Sequence, residues 1–210
     1  MAEIIPSINA ATFDEVQKRI ALVEPYVSWV HLDVTDGVFS RHPTWRDPAD
    51  LPRLRTKLKA EAHLMVEKPE NVIEQWLVPP VRRVIVHVGT MLNTECSTCI
   101  QKCHDAGIEI GFAIKSDTPV SVLDPWLGKV DMVVLLRVPP GASGQKMPSE
   151  RLEEIRHLRA ACPGCTIEVD GGVNSETAAR ADGAGANLMV AGAAIFNAAD
   201  IGQAITGLTR

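Results

Sequence analysis

The sequence has no excess of positive charge and no long apolar run. Its 210 residues carry 21 Lys and Arg against 26 Asp and Glu, which gives a net charge of −5. The basic residues are scattered among acidic ones instead of forming a stripe, so we expect no nucleic-acid partner. No apolar run reaches the length that spans a bilayer, so we also expect no membrane partner.

The sequence also lacks a secretory signal and an interdomain linker. Residues Met1 to Pro6 show no basic region followed by an apolar one, which predicts a soluble, cytoplasmic protein. The length suits one sizeable core, and no stretch has the composition of a linker. We therefore predict a single domain over residues 1–210.

Cysteine is scarce, and its five residues are an odd number. Without a secretory signal, this count predicts reduced thiols. Cys96, Cys99 and Cys103 recur on one helical stripe, which favours small buried residues over a metal or redox site. Cys162 and Cys165 form a CxxC motif that lies between a predicted helix and a strand rather than at a helix start. The role of this pair is left open.

Apolar, β-branched runs recur eight times along the chain. They lie near residues 3–8, 29–34, 59–66, 83–88, 109–114, 131–138, 165–170 and 187–191. Helix-like stretches follow seven of them, and only residues 48–58 are ambiguous because of their prolines. Alternating strands and helices of this kind predict a parallel sheet covered by helices. Eight units predict an α/β fold, a single-domain (β/α)8 TIM barrel, with its active site at the C-terminal ends of the strands.

Three of these runs end in side chains that can bind a metal. His31 and Asp33 close the second run, His63 closes the third, and Asp170 closes the seventh. Because side chains alternate along a strand, His31 and Asp33 point to the same face. Strand assignment and side-chain chemistry thus select the same end of the barrel, which predicts an active site there.

Motifs that extend along nearly the whole chain resemble those of the ribulose-phosphate 3-epimerase family. They are Pro6-Ser7-Ile8, His31-x-Asp33-x-x-Asp36-Gly37, His63-Leu64-Met65-Val66, His87-Val88, Pro140-Gly141-x-x-Gly144-Gln145-Lys146, Val169-Asp170-Gly171-Gly172-Val173-Asn174 and Val190-Ala191-Gly192-x-Ala194-Ile195-Phe196. The resemblance implies a ribulose-phosphate binding barrel and an isomerase of the pentose phosphate pathway. It also implies one divalent metal held by His31, Asp33, His63 and Asp170, with Asp33 and Asp170 acting as the acid/base pair.

The chemistry of epimerisation accounts for this set of residues. Inverting a carbon next to a ketone requires a proton to leave one face and another to arrive on the opposite face, so two carboxylates are needed. A cation near the oxygens of the enediolate stabilises the developing negative charge. Two histidine ligands favour zinc, iron or manganese over magnesium.

The remaining predicted site residues surround the substrate. Glycines after the seventh and eighth strands suit a phosphate held by backbone N–H groups, and a loop after the sixth strand suits a cover. We expect His87 to line the pocket and not to be a fifth ligand. The predicted substrate-binding residues are Ser7, Met65, His87, Gly141, Ser143, Gly144, Gly171, Gly172, Gly192 and Ala193.

Several positions depart from the family pattern. The departures are Thr35, Leu136, Arg137, Pro139 and Ala193. We expect Thr35 and Leu136 to change the pocket wall. The leading hypothesis is a metal-dependent epimerase that interconverts D-ribulose 5-phosphate and D-xylulose 5-phosphate. The alternatives are a 3-epimerase of another ketose phosphate, such as a hexulose 6-phosphate, and a non-catalytic phosphosugar-binding barrel. The sequence leaves the substrate, the metal and a homo-oligomeric state open.

Overall fold

The computed structural model describes residues 1–136 and 152–209 of the chain. Its eight strands are all parallel to their neighbours and close into one barrel, in which β1 pairs with β8. The strands are β1 (Glu3–Ile8), β2 (Trp29–Thr35), β3 (Lys59–Met65), β4 (Val81–His87), β5 (Glu109–Ile114), β6 (Met132–Leu136), β7 (Thr166–Asp170) and β8 (Leu188–Ala191). The predicted TIM barrel is confirmed.

Helices connect the strands on the outside of the barrel. The α-helices are α1 (Phe13–Val23), α2 (Asn93–Asp105), α3 (Leu152–Ala161), α4 (Ser175–Ala184), α5 (Ala193–Phe196) and α6 (Ile201–Leu208). Local sequence sets their ends: Thr12 caps α1 by accepting from the Glu15 N–H, and Gly185, with φ of 111°, ends α4.

Three connections hold only 3-10 helices in the described part of the chain. They are Pro48–Arg53 after β2, Pro69–Asn71 and Ile73–Trp76 after β3, and Val120–Trp126 after β5. The helix-like stretches expected after β3 and β5 are therefore shorter than the sequence predicts. Proline explains the difference after β5, because Pro125 lies inside the 3-10 segment and cannot donate a helical hydrogen bond.

The cysteine prediction is correct for three residues and wrong for two. Cys96, Cys99 and Cys103 are buried on α2 with free thiols, as expected for core residues. Cys162 and Cys165 instead form a disulfide in the turn between α3 and β7, with their Cα atoms 5.4 Å apart. A four-residue turn brings two cysteines within bonding range whatever the compartment, which a count of thiols cannot show.

Apolar side chains pack on both sides of the barrel wall. The large apolar core lies between the strands and the helices. A small cluster within the barrel contains Ile85, Ala113, Met132 and Val134. In the described chain, no helix is both long enough and apolar enough to cross a membrane.

Candidate metal centre and active site

The four predicted metal ligands meet at the C-terminal end of the barrel. One ligand atom from each of His31, Asp33, His63 and Asp170 lies within 4.8 Å of the others, and all four residues are buried. His31 Nε2 is 3.5 Å from Asp33 Oδ1 and 3.8 Å from Asp170 Oδ2. His63 Nδ1 is 3.4 Å from the same Asp170 oxygen. Two imidazole nitrogens and two carboxylate oxygens form a donor set that fits a transition metal.

The fold brings these side chains together from separated parts of the sequence. β2 carries His31 and Asp33 two positions apart, so both face the interior. β3 places His63 beside Asp33 in register. Asp170 is the last residue of β7, and barrel closure brings it to the same cluster.

Ser7 on β1 contacts one of the two acid/base candidates. Its hydroxyl donates a 2.6 Å hydrogen bond to Asp33 Oδ2. Burial alone would raise the pKa of Asp33, but His31 and the Ser7 hydroxyl bring it below its usual range. Asp33 is thus held as a carboxylate, the form that can bind a cation or accept a proton.

A second buried group lies directly beneath His31. His31 Nδ1 is 2.7 Å from Glu61 Oε1 and 3.9 Å from Glu168 Oε1, and Arg83 Nη1 is 2.6 Å from Glu61 Oε2. Burial disfavours the charged form of His31, yet the carboxylates of Asp33 and Glu61 raise the pKa of its imidazole well above the usual range. A cation that binds His31 must therefore displace a proton.

Sequence reasoning missed Glu61, Arg83 and Glu168. A signal was present, because Glu61 precedes His63 by two residues and Glu168 precedes Asp170 by two. On a strand this spacing puts each glutamate on the same interior face as its metal-binding neighbour. Burying a charge there requires a partner, and Arg83 supplies one.

His87 lies against His63 and not among the four ligand atoms. Its Nε2 is 2.9 Å from His63 Nε2, and the two rings stack with centroids 5.0 Å apart. Phe39 tilts against the other side of His87, and Lys115 Nζ lies 3.8 Å from the Phe39 centroid. Burial lowers the pKa of His87 well below its usual range, and the neighbouring His63 and Lys115 add to this shift.

The pocket wall combines residues from three elements. Met65 at the end of β3 packs with Leu136 at the end of β6, and Phe39 packs against both. Thr35 is fully buried, and its hydroxyl donates to the carbonyl of His42. The Thr35 hydroxyl thus holds the loop after β2 rather than adding a free polar group to the wall. Asp36 also organises this loop, because its carboxylate accepts from the N–H groups of Val38, Phe39 and Glu67.

The predicted phosphate residues lie at the ends of β7 and β8. These strands pair with each other as far as Asp170 and Val190, and Gly171 and Gly172 follow β7 directly as Gly192 and Ala193 follow β8. Gly171 and Gly172 have φ values of 95° and 68°, which L side chains rarely adopt. Arg137, Pro139, Gly141, Ser143 and Gly144 lie outside the described residues.

Comparison with known proteins shows the family. The model of the ribulose-phosphate 3 epimerase family matches residues 3–196. The chain is 36% identical to ribulose-phosphate 3-epimerase of Schizosaccharomyces pombe over 99% of its own length and 92% of that protein. It is 33% identical to ribulose-phosphate 3-epimerase of Bacillus subtilis over 98% of its length and 97% of that protein. The chain belongs to the ribulose-phosphate 3-epimerase family of isomerases, as its motifs predicted.

Solved structures show the same fold in more distant proteins. KGPDC from Streptococcus mutans matches with a TM-score of 0.78 and 12% identity, over 99% of this chain and 95% of that one. The 3-hexulose-6-phosphate synthase of Salmonella typhimurium matches with a TM-score of 0.73 and 17% identity, over 99% of this chain and 96% of that one. At such low identity these likenesses concern the barrel alone.

Proposed function

We propose that this protein is a metal-dependent ribulose-phosphate 3-epimerase that interconverts D-ribulose 5-phosphate and D-xylulose 5-phosphate. The observation that carries the proposal is the cluster of two carboxylates and two imidazoles at the C-terminal end of the barrel. Family membership supports the reaction type. We take the chain, residues 1–210, to act as one domain.

Asp33 and Asp170 serve as the two proton-transfer groups in this proposal. One carboxylate accepts the C3 proton of the ketose, and the C–H electron pair moves toward the ketone to give an enediolate. The other carboxyl delivers a proton to the opposite face of C3, and the ketone re-forms. Each aspartate is 8% exposed, so the exchange takes place largely shielded from water.

His31, Asp33, His63 and Asp170 would hold one divalent metal ion, and their nitrogen donors favour zinc, iron or manganese. When bound, the ion supplies positive charge that stabilises the negative charge developing on the substrate oxygens. Ser7 orients Asp33 through its 2.6 Å hydrogen bond.

The remaining residues bind and enclose the sugar phosphate. We assign the phosphate to the backbone N–H groups around Gly171, Gly172, Gly192 and Ala193. Met65 and His87 form the wall beside the reacting carbons. Gly141, Ser143 and Gly144, which lie outside the described residues, stay predicted substrate-binding residues.

Solvent-deuterium exchange tests this function. The metal-loaded protein is incubated with D-ribulose 5-phosphate in D2O and followed by NMR. We expect deuterium at C3 and formation of D-xylulose 5-phosphate. Absence of exchange in folded, metal-loaded protein would overturn the pentulose assignment, and the same assay with a hexulose 6-phosphate would then separate another epimerase from a binding-only barrel.

Chelation tests the metal requirement independently. We expect exhaustive chelation to abolish epimerisation and addition of zinc, iron or manganese to restore it. Full activity in verified metal-free protein would contradict the proposed metal.

A cytoplasmic location and a homo-oligomeric state stay predictions. The relatives include a cytoplasmic isoform from rice and a chloroplastic enzyme from Arabidopsis thaliana.

A further inference from the structure

A continuous chain of polar contacts runs from the exposed rim of β5 to the metal ligand His31. Glu109, partly exposed, accepts from Arg83 Nε at 2.8 Å. Arg83 Nη1 donates to Glu61 Oε2 at 2.6 Å. The other oxygen of Glu61 lies 2.7 Å from His31 Nδ1. Each strand from β2 to β5 contributes one of these four residues.

The inner members of this chain are fixed in place. Glu61 and His31 are fully buried, and Arg83 is 8% exposed. The Arg83 guanidinium carbon also lies over the Trp29 ring, 4.6 Å from its centroid. A buried carboxylate needs a compensating charge. The Arg83 guanidinium supplies that charge to Glu61 through a 2.6 Å hydrogen bond.

The two ring nitrogens of His31 have different neighbours. Nε2 faces Asp33 and Asp170, whereas Nδ1 faces the Glu61 carboxylate. A carboxylate at Nδ1 favours a hydrogen there, and the Nε2 lone pair is then directed at the metal site. Glu168 Oε1 lies 3.9 Å from Nδ1, beyond hydrogen-bond distance, so Glu61 makes this contact.

We propose that Glu61 and Arg83 are positioning residues of the metal centre. Glu61 fixes the tautomer and ring orientation of His31, and Arg83 holds Glu61 in place. Neither side chain is among the four ligands, so metal affinity depends on two residues outside the ligand set. This inference rests on the proposed function, because it assumes that His31 binds a metal.

Zinc affinity and the His31 tautomer test the proposal without an activity assay. Zinc affinity is measured by competition with a chromophoric chelator for the wild type, Glu61→Ala, Glu61→Gln, Arg83→Met and Arg83→Lys. We expect Glu61→Ala and Arg83→Met to weaken zinc binding by about 10- to 100-fold. Glu61→Gln and Arg83→Lys, which keep an acceptor and a cation, should lose less. Arg82→Met is the matched control, because Arg82 is the exposed neighbour of Arg83 on β4, and its zinc affinity should equal that of the wild type.

The tautomer is read from the imidazole 15N shifts of the zinc-loaded protein. We expect a hydrogen on Nδ1 of His31 in the wild type and a disturbed His31 spectrum in Arg83→Met. Wild-type zinc affinity in folded Arg83→Met and Glu61→Ala would overturn the inference. So would a wild-type His31 that carries its hydrogen on Nε2, a result that needs no variant to fold. A wild-type protein that binds no zinc, iron or manganese would instead overturn the proposed function.

Discussion

The Nε2 atoms of His63 and His87 lie 2.9 Å apart, so one of the two imidazoles donates a hydrogen to the other. Since Nδ1 of His63 faces Asp170 and His31, its Nε2 is the nitrogen left to carry the hydrogen when Nδ1 binds a metal. His87 then acts as the acceptor. His63, like His31, therefore has a hydrogen-bond partner outside the four candidate ligands.

Replacing His87 with phenylalanine should therefore weaken metal binding. His87→Phe keeps a stacking ring but removes the acceptor, and we expect zinc affinity to fall by about tenfold in chelator competition. Phe39→Leu is the control, because Phe39 packs on His87 without a hydrogen bond and its loss leaves the His63 contact intact. Equal zinc affinity in His87→Phe and the wild type would refute the acceptor role.

Burial of His87 also predicts a pH dependence of stability. Its pKa is lowered well below the ordinary value of 6.5, so on acidification the unfolded chain takes up a proton that the folded chain does not. Between pH 7.5 and 5.5 this group should remove about 1.4 kcal/mol from the free energy of unfolding. His87→Phe lacks this loss. Urea unfolding of both metal-stripped proteins should show the stability of the wild type falling relative to that of His87→Phe as the pH falls, and a pH-independent difference would contradict the prediction.

The two aspartates should be essential for catalysis but not for folding. Asp33→Asn and Asp170→Asn keep side-chain size and remove the proton-transfer group, so we expect epimerisation to fall by about 10²- to 10⁴-fold. Circular dichroism should be unchanged. Glu176→Gln, on the exposed first turn of α4, is the matched carboxylate-to-amide control and should keep wild-type activity. Activity within tenfold of the wild type in either aspartate variant would reject its acid/base role.

The barrel and its four candidate ligands could be predicted because their signals are local. Strand periodicity places His31 and Asp33 on one face, and the strand rule for barrels places Asp170 at the same end. The roles of Thr35 and His87 depend on contacts across strands and loops: Thr35 bonds the carbonyl of His42, and His87 stacks on His63. No pattern within one segment specifies such partners.

The Arg83–Glu61 pair also could not be predicted from a single segment of the sequence. A charged residue in an apolar strand signals burial with a partner, but the partner lies on the neighbouring strand, 22 residues away. The CxxC pair is similar, because spacing permits both a disulfide and two thiols. Only the geometry of the turn after α3 distinguishes them.

Thiol titration should distinguish the two states of the CxxC pair. We expect three reactive thiols in denatured, unreduced protein, from the free Cys96, Cys99 and Cys103, and five after reduction. Reduction should leave epimerisation unchanged, because the pair precedes β7 whereas Asp170 ends that strand. Five thiols without reductant, in protein purified under air, would show that the disulfide does not form.

Gly111 on β5 allows close packing inside the barrel and should not tolerate alanine. A Cβ atom there would lie 2.7 Å from Met132 Cγ and 3.1 Å from Ile85 Cγ1, and both neighbours are buried. We expect Gly111→Ala to lower the free energy of unfolding by about 1–3 kcal/mol, because one added methyl forces buried side chains to shift.

A glycine-to-alanine substitution at Gly183 on α4 should instead raise the free energy of unfolding. At Gly183 a Cβ atom would meet nothing within 4 Å, so Gly183→Ala should stabilise the protein by up to about 1 kcal/mol through helix propensity alone. Urea denaturation of the two variants compares an identical chemical change in two environments. If Gly111→Ala were as stable as the wild type, Met132 would have to repack at no cost, and the interior of the barrel would be looser than its contacts indicate.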